Sequence, residues 1–182
     1  MTSKLMPWGL TAVLLAGAWV LNAVALPDGS SEASFITRTT VGEAATTRNL
    51  TLTVTDVRAA RTVTSASGWS ADGTWLVVDV DAAARDSQYA ARLGFAELII
   101  GERTFRATER ADTFYQQRLV TGVMRRGGLA FELPDDALTG TAALRLGIPP
   151  DARYDGLIEV PIDLDDIPIE NEVALPETGW AR

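Results

Sequence analysis

Residues 75–81 read Trp75-Leu76-Val77-Val78-Asp79-Val80-Asp81. In an extended chain successive side chains point to opposite faces, so Leu76, Val78 and Val80 share one face and Trp75, Val77, Asp79 and Asp81 the other. The first four residues are apolar on both faces, which predicts a central strand. Immediately upstream, Asp72-Gly73 is a tight-turn dipeptide and predicts a chain reversal between Trp69 and Trp75.

Working outward, the same period of two recurs. Leu50, Leu52 and Val54 alternate with Thr51, Thr53 and Thr55, a half-buried strand with a threonine-rich outer face. Leu98-Ile99-Ile100 leads through Gly101-Glu102 into Thr104-Phe105-Arg106, and glycine at the first central position predicts a type II′ hairpin. Leu129, Phe131 and Leu133 alternate up to Pro134-Asp135-Asp136; Leu144, Leu146 and Ile148 up to Pro149-Pro150; and Ile158, Val160, Ile162 and Leu164 follow. The best helical candidate, residues 82–93, is too short to outweigh this pattern and reads as a loop. Roughly seven short strands separated by turn residues predict a mainly β fold, an antiparallel sandwich or barrel. No internal repeat of fixed period is visible.

The order of these features, NLTLTVTDV, WLVVDVD, LIIGERTFRA, GGLAFELPDDA and ALRLGI, resembles the telokin-like immunoglobulin-fold domain family of exported Gram-positive and actinobacterial proteins of unknown function. The resemblance covers residues 41–165 and rests on packing and turn motifs. The asparagine usual after the central strand is replaced by Ala82-Ala83-Ala84-Arg85. What it implies is an immunoglobulin-like β-sandwich and an extracytoplasmic location, with no catalytic or ligand residues to carry over.

Ahead of the strands, residues 8–26 form a nineteen-residue run without charge. As a helix it would be about 28 Å long, the thickness of a bilayer's hydrocarbon core. Trp8 suits an interface, Pro7 suits a first helical position, and Lys4 on the N-terminal side orients residues 1–7 to the cytoplasm and the remainder outward. Two readings stand: a retained signal anchor, or a signal peptide cleaved near Ala23-Val24-Ala25. Either exports the domain. The expected organisation is therefore a cytoplasmic N-terminus (1–7), a transmembrane helix (8–26), a linker PDGSSEAS (27–34), a β-sandwich (35–166) and an acidic flexible tail (167–182).

The chain of 182 residues contains no cysteine and no histidine and carries a formal charge of −8. Disulfides, thiolate or imidazole metal sites, lipidation on cysteine and histidine-based catalysis are thereby excluded. The acidity is local: residues 151–182 carry −7 and residues 1–150 only −1. With no basic face implied by this balance, a nucleic-acid partner is not expected.

Several constellations could carry chemistry. Arg103, Arg106, Arg110, Arg118, Arg125 and Arg126 stand against only Glu109 and Asp112 between residues 103 and 126, with Tyr115 among them. Arginine forks beside an aromatic ring suit phosphate or carboxylate, and hence an anionic polymer, a lipid headgroup or an envelope protein; local pairing of these charges is the competing reading. Asp163, Asp165, Asp166, Glu170 and Glu172 lack the spacing of a calcium loop and read as solvated. Asp79 and Asp81 lie about 7 Å apart on one strand face, which leaves a carboxylate hydrolase as a third possibility. Leu175-Pro176-Glu177-Thr178-Gly179 matches an LPxTG sorting motif but lacks a following apolar segment, and Asn49-Leu50-Thr51 fits a glycosylation acceptor.

The combined expectation is a non-catalytic, membrane-anchored interaction or accessory module of a bacterial cell envelope, needing no cofactor or metal. A secreted or wall-attached domain recognising an anionic polymer is the alternative.

Overall fold

The computed structural model describes residues 35–86, 91–148 and 156–181, together with Leu14, Leu15 and Gly17. Residues 1–33 and 34–182 form separate units. Leu14, Leu15 and Gly17 are helical; the rest of the expected transmembrane segment, the N-terminal residues 1–7 and the linker 27–34 lie outside the described residues. Among the described residues no helix is long and apolar enough to cross a membrane.

The second unit is mainly β, as the alternation predicts. Its strands are β1 (Ile36–Arg38), β2 (Ala44–Thr46), β3 (Leu50–Thr64), β4 (Ser70–Ala84), β5 (Phe95–Ile100), β6 (Arg103–Arg106), β7 (Arg125–Leu133), β8 (Thr141–Gly147), β9 (Leu157–Asp163), β10 (Ile169–Ala174) and β11 (Gly179–Trp180). A first sheet has the order β1-β9-β8-β5-β6, and a second the order β10-β3-β4-β7-β11 with β2 also paired to β3. Most pairs are antiparallel, while β1 with β9 and β10 with β3 are parallel.

One apolar cluster joins the two sheets. Leu52, Leu76, Val78 and Phe131 of the second sheet pack with Leu98, Leu144, Ile158 and Val160 of the first, all with no measurable exposure. All of these residues but Leu98, which stands in the continuous run Leu98-Ile99-Ile100, belong to an alternating set visible in the sequence, because burying one face of a pleated strand requires every second side chain to be apolar.

Residues 75–81 are central, flanked by β3 and β7. The reversal before them is displaced. Asp72 and Gly73 lie inside β4, and the turn sits at Ser65–Trp69, where the Ser65 amide donates to the Trp69 carbonyl at 2.9 Å and Gly68 takes φ +87°. Ala60 pairs with Trp75 but Thr62 pairs with Asp72, so β4 carries an extra residue beside Gly73. The glycine there marks a β-bulge, the other structure that glycine within a strand commonly signals. The hairpin at Gly101-Glu102 is as expected: Ile100 pairs with Arg103 and Gly101 has φ +58°.

The reading of 167–182 as a flexible acidic tail is corrected. β10 runs along β3 at one edge of the second sheet, and β11 pairs with β7 near the opposite edge. Residues 175–178 connect them across that sheet's outer face. There Val173 and Leu175 complete a smaller apolar cluster with Ala60, Val63, Trp75, Val77 and Ala130. The apolar outer half of β4 needs a cover, and the tail's few apolar residues provide it despite the acids between them.

Candidate functional site

The arginines of residues 103–126 do not form one site. Arg103 pairs with Asp136 at 3.1 Å, Arg106 with Glu97 at 3.3 Å, and Arg110 with Glu132. Arg126 grips both oxygens of Asp81, at 2.9 and 3.0 Å, which raises its pKa above the already high arginine value. The acids that neutralise the stretch come from other strands, out of reach of a local charge count. Tyr115 is buried and its hydroxyl donates to the Gly94 carbonyl at 3.3 Å, so it is a packing residue. Of the six candidate arginines only Arg118 and Arg125 have no carboxylate partner among the described residues; Arg125 donates to the Arg118 carbonyl and lies over the rings of Phe114 and Trp180, at 5.7 and 5.8 Å.

The carboxylates on the outer face of the second sheet are likewise engaged. Arg58 donates to both oxygens of Asp79 at 2.7 Å and also faces Asp56 at 3.1 Å. Burial beneath this face pushes the Asp79 carboxyl above its ordinary value, and the Arg58 charge opposes that shift without cancelling it. Asp79 and Asp81 thus share a strand face, as the sequence indicates, but each is held by its own guanidinium.

On the outer face of the first sheet, Glu159 accepts from Arg38 and Arg145, both at 2.9 Å. These hydrogen bonds hold its carboxyl below the ordinary glutamate value. Register places Arg38, Glu159, Arg145, Glu97 and Arg106 side by side across the five strands, a row of alternating charge. Cross-strand neighbours of opposite sign support the register.

The five acids read as solvated are all exposed, and three of them also accept hydrogen bonds. Asp163 accepts from the Asp165 amide and Asp165 from the Gly140 amide, at 3.1 and 3.0 Å, while Glu172 accepts from the Thr64 hydroxyl. Among the described residues no group of three or more acidic side chains is arranged to hold a metal ion.

The LPxTG-like residues are part of the fold. Leu175 is buried, Pro176 packs on Gly128, and Gly179 belongs to β11. Beside them is an open depression of about 310 Å³ lined by residues including Ser65, Ser67, Asp112 and Thr178, and the buried Thr178 hydroxyl oxygen has no hydrogen-bond partner.

A different grouping emerges at one end of the domain, where β3 and β7 start and β4 finishes. Of the described arginines, only Arg48, Arg85, Arg92, Arg118 and Arg125 lack a carboxylate partner among the described residues. All five lie at this end. Arg85 donates from its backbone to Asn49 and from its side chain to the Thr47 carbonyl, next to Arg48. Gly122 donates to Ala84, tying the loop after Arg118 to the end of β4, and Arg92 is the bridge partner of Arg118. An open pocket of about 360 Å³ lies here, lined by Arg85, Asp86, Gly122 and Met124 among others. Arg48, Arg85 and Arg92 have no counterpart in any local run of sequence. Only the folding of three separate loops to one end assembles the group.

These features define a mainly β, two-sheet domain with tied carboxylates on its sheet faces and a cationic loop end. No family model matches the chain, and no curated protein matches it. A solved structure, the yjhA protein from Bacillus subtilis, is similar at 15% identity, with 66% of this chain and 98% of that chain covered and a TM-score of 0.45. A likeness that distant defines neither a family nor an activity.

Proposed function

We propose that the chain is a membrane-anchored, extracytoplasmic interaction or accessory module of a cell envelope, non-catalytic, built as an immunoglobulin-like sandwich of the telokin-like kind. The observation that carries the non-catalytic reading is the state of the carboxylates. Asp79, Asp81 and Glu159 are each held by one or two guanidinium groups. General acid or base work needs a carboxylate free to exchange a proton with substrate. With no histidine or cysteine in the chain, Asp79 and Asp81 are the pair that the sequence offers for such work. Support for the anchor is the charge-free run 8–26 with Lys4 before it.

The test is fractionation of cells followed by crosslinking in the intact envelope and mass spectrometry of the membrane fraction. Retention after a carbonate wash, with reproducible crosslinks to an envelope component, is expected. Recovery of the domain in the medium, with its N-terminus beginning near residue 26, would replace the anchored reading with the secreted one.

A further inference from the structure

We infer that the cationic end of the domain docks on the anionic phospholipid headgroups of the bilayer that holds residues 8–26; this rests on the anchored reading above. The chain enters the domain at Phe35, whose carbonyl accepts from the Leu157 amide at 2.9 Å. Leu157 follows Gly156, and a side chain at Gly156 would strike Thr47, the neighbour of Arg48. The point of entry and the five arginines therefore share one end. Eight residues separate Leu26 from Phe35. Even fully extended they reach only about 28 Å, so the tether keeps this end within reach of the bilayer surface.

Charge is distributed along the domain accordingly. The far end carries Glu102, Asp135, Asp136, Asp163, Asp165 and Asp166, against Arg61 and Arg103. Among the described residues the near end carries the five arginines against Asp86 and Glu177; the stretches 27–34 and 149–155, which adjoin it in sequence, add Asp28, Glu32, Asp151 and Asp155 against Arg153, and the near end stays positive relative to the far one. An anionic surface attracts the first distribution less than the second, and so orients the domain.

A second feature distinguishes a lipid surface from a soluble anion. Trp180, 63% exposed, lies against Arg125 at this end, with Val123, 45% exposed, on the adjoining loop and Phe35, 80% exposed, at the entry. An indole beside a guanidinium suits the boundary between headgroups and hydrocarbon, where one part of the pair is wet and the other apolar.

The test uses the full chain reconstituted in phosphatidylglycerol or phosphatidylcholine vesicles carrying a headgroup-tethered quencher. Because the chain has no cysteine, Thr121→Cys and Thr141→Cys give single fluorophore sites at the near end and, beside Asp163, at the far end. The expected result is quenching at position 121 in phosphatidylglycerol, relieved by molar salt and weaker in phosphatidylcholine, with position 141 unaffected. A surface arginine contributes roughly fivefold to such attachment, so combining Arg48→Gln, Arg92→Gln and Arg118→Gln shifts the docked-to-free ratio roughly a hundredfold. The corresponding three lysine substitutions keep it.

An unchanged thermal transition confirms that the glutamine variant is folded. If position 121 is no closer to phosphatidylglycerol than to phosphatidylcholine while the chain withstands a carbonate wash, docking is refuted and anchoring stands. If the chain washes off, anchoring fails and docking with it. A label at position 121 that responds to soluble poly(glycerol phosphate) and not to vesicles overturns the lipid assignment in favour of a polymer.

Discussion

Gly128→Ala tests whether the C-terminal segment is an integral cover of the second sheet. Gly128 sits in β7 opposite Asp79 and is not among the residues with positive φ, so alanine there meets no backbone strain. Its Cβ would nevertheless fall 2.7 Å from Pro176 Cδ, 3.1 Å from Pro176 Cγ and 3.2 Å from Leu175 Cδ2. Those ring atoms cannot rotate away, so the crossing segment must lift. Overpacking of this kind costs roughly 1–3 kcal/mol, and the smaller unfolded-state entropy of alanine returns about 0.4–1 kcal/mol. A net loss of about 1–2 kcal/mol is expected. Pro176→Ala removes Cδ and Cγ, and in that background Gly128→Ala becomes neutral or stabilising. The double-mutant cycle should therefore show a coupling of about 1–2 kcal/mol, read from urea midpoints at constant m. Limited proteolysis supplies an independent reading, since lifting the segment exposes the chain around residues 174–179 in the single variant. Additive effects, or a C-terminal segment equally protected in both proteins, would refute its packing on Gly128.

Gly127→Ala is expected to destabilise more, by roughly 2–3 kcal/mol, because its Cβ would lie 2.6 Å from Cδ2 of the buried Phe114; thermal unfolding checks this. The two tied carboxylates should titrate in opposite senses when followed by carbon NMR. Glu159 titrates below the usual value of about 4.3, so its pairing stabilises the fold above that value and the gain is lost as pH falls through the folded pKa. Asp79 titrates above about 3.9, so the folded state holds its proton more tightly and stability falls as pH rises from the unfolded value through the folded one. Glu159→Gln removes the first slope and Asp79→Asn the second, and unaltered slopes would count against those environments. Finally, intact-mass analysis of natively isolated protein should find no transpeptidation product at Thr178, since Leu175 is buried and Gly179 is paired in β11; a covalent adduct there would show that the segment opens.

Local alternation was enough to locate the strands that line the core. Leu76, Val78 and Val80, or Leu144 and Leu146, are buried because pleating sends every second side chain inward, a rule that needs no knowledge of neighbours. Gly101-Glu102 could be read for the same reason, as a two-residue turn is set by its own φ angles. Asp72-Gly73 misled because glycine serves a bulge as well as it serves a turn, and only the pairing of Ala60 and Thr62 with β4 decides between them. The acidic C-terminal segment misled because its charge outweighs its apolar residues in any local average. Val173 and Leu175 are buried by a sheet face assembled from residues more than forty positions away.

The composition and alternation alone established a mainly β chain that must fold without disulfides, together with a charge-free N-terminal run of bilayer length. Partnership was decided by tertiary structure. Which arginines are neutralised depends on strand register: Asp81 reaches Arg126, Glu97 reaches Arg106, and Arg48, Arg85, Arg92, Arg118 and Arg125 are left at one end without a described carboxylate. Coulomb attraction acts through space over a few ångströms, and a linear sequence does not specify which charges the fold will bring that close.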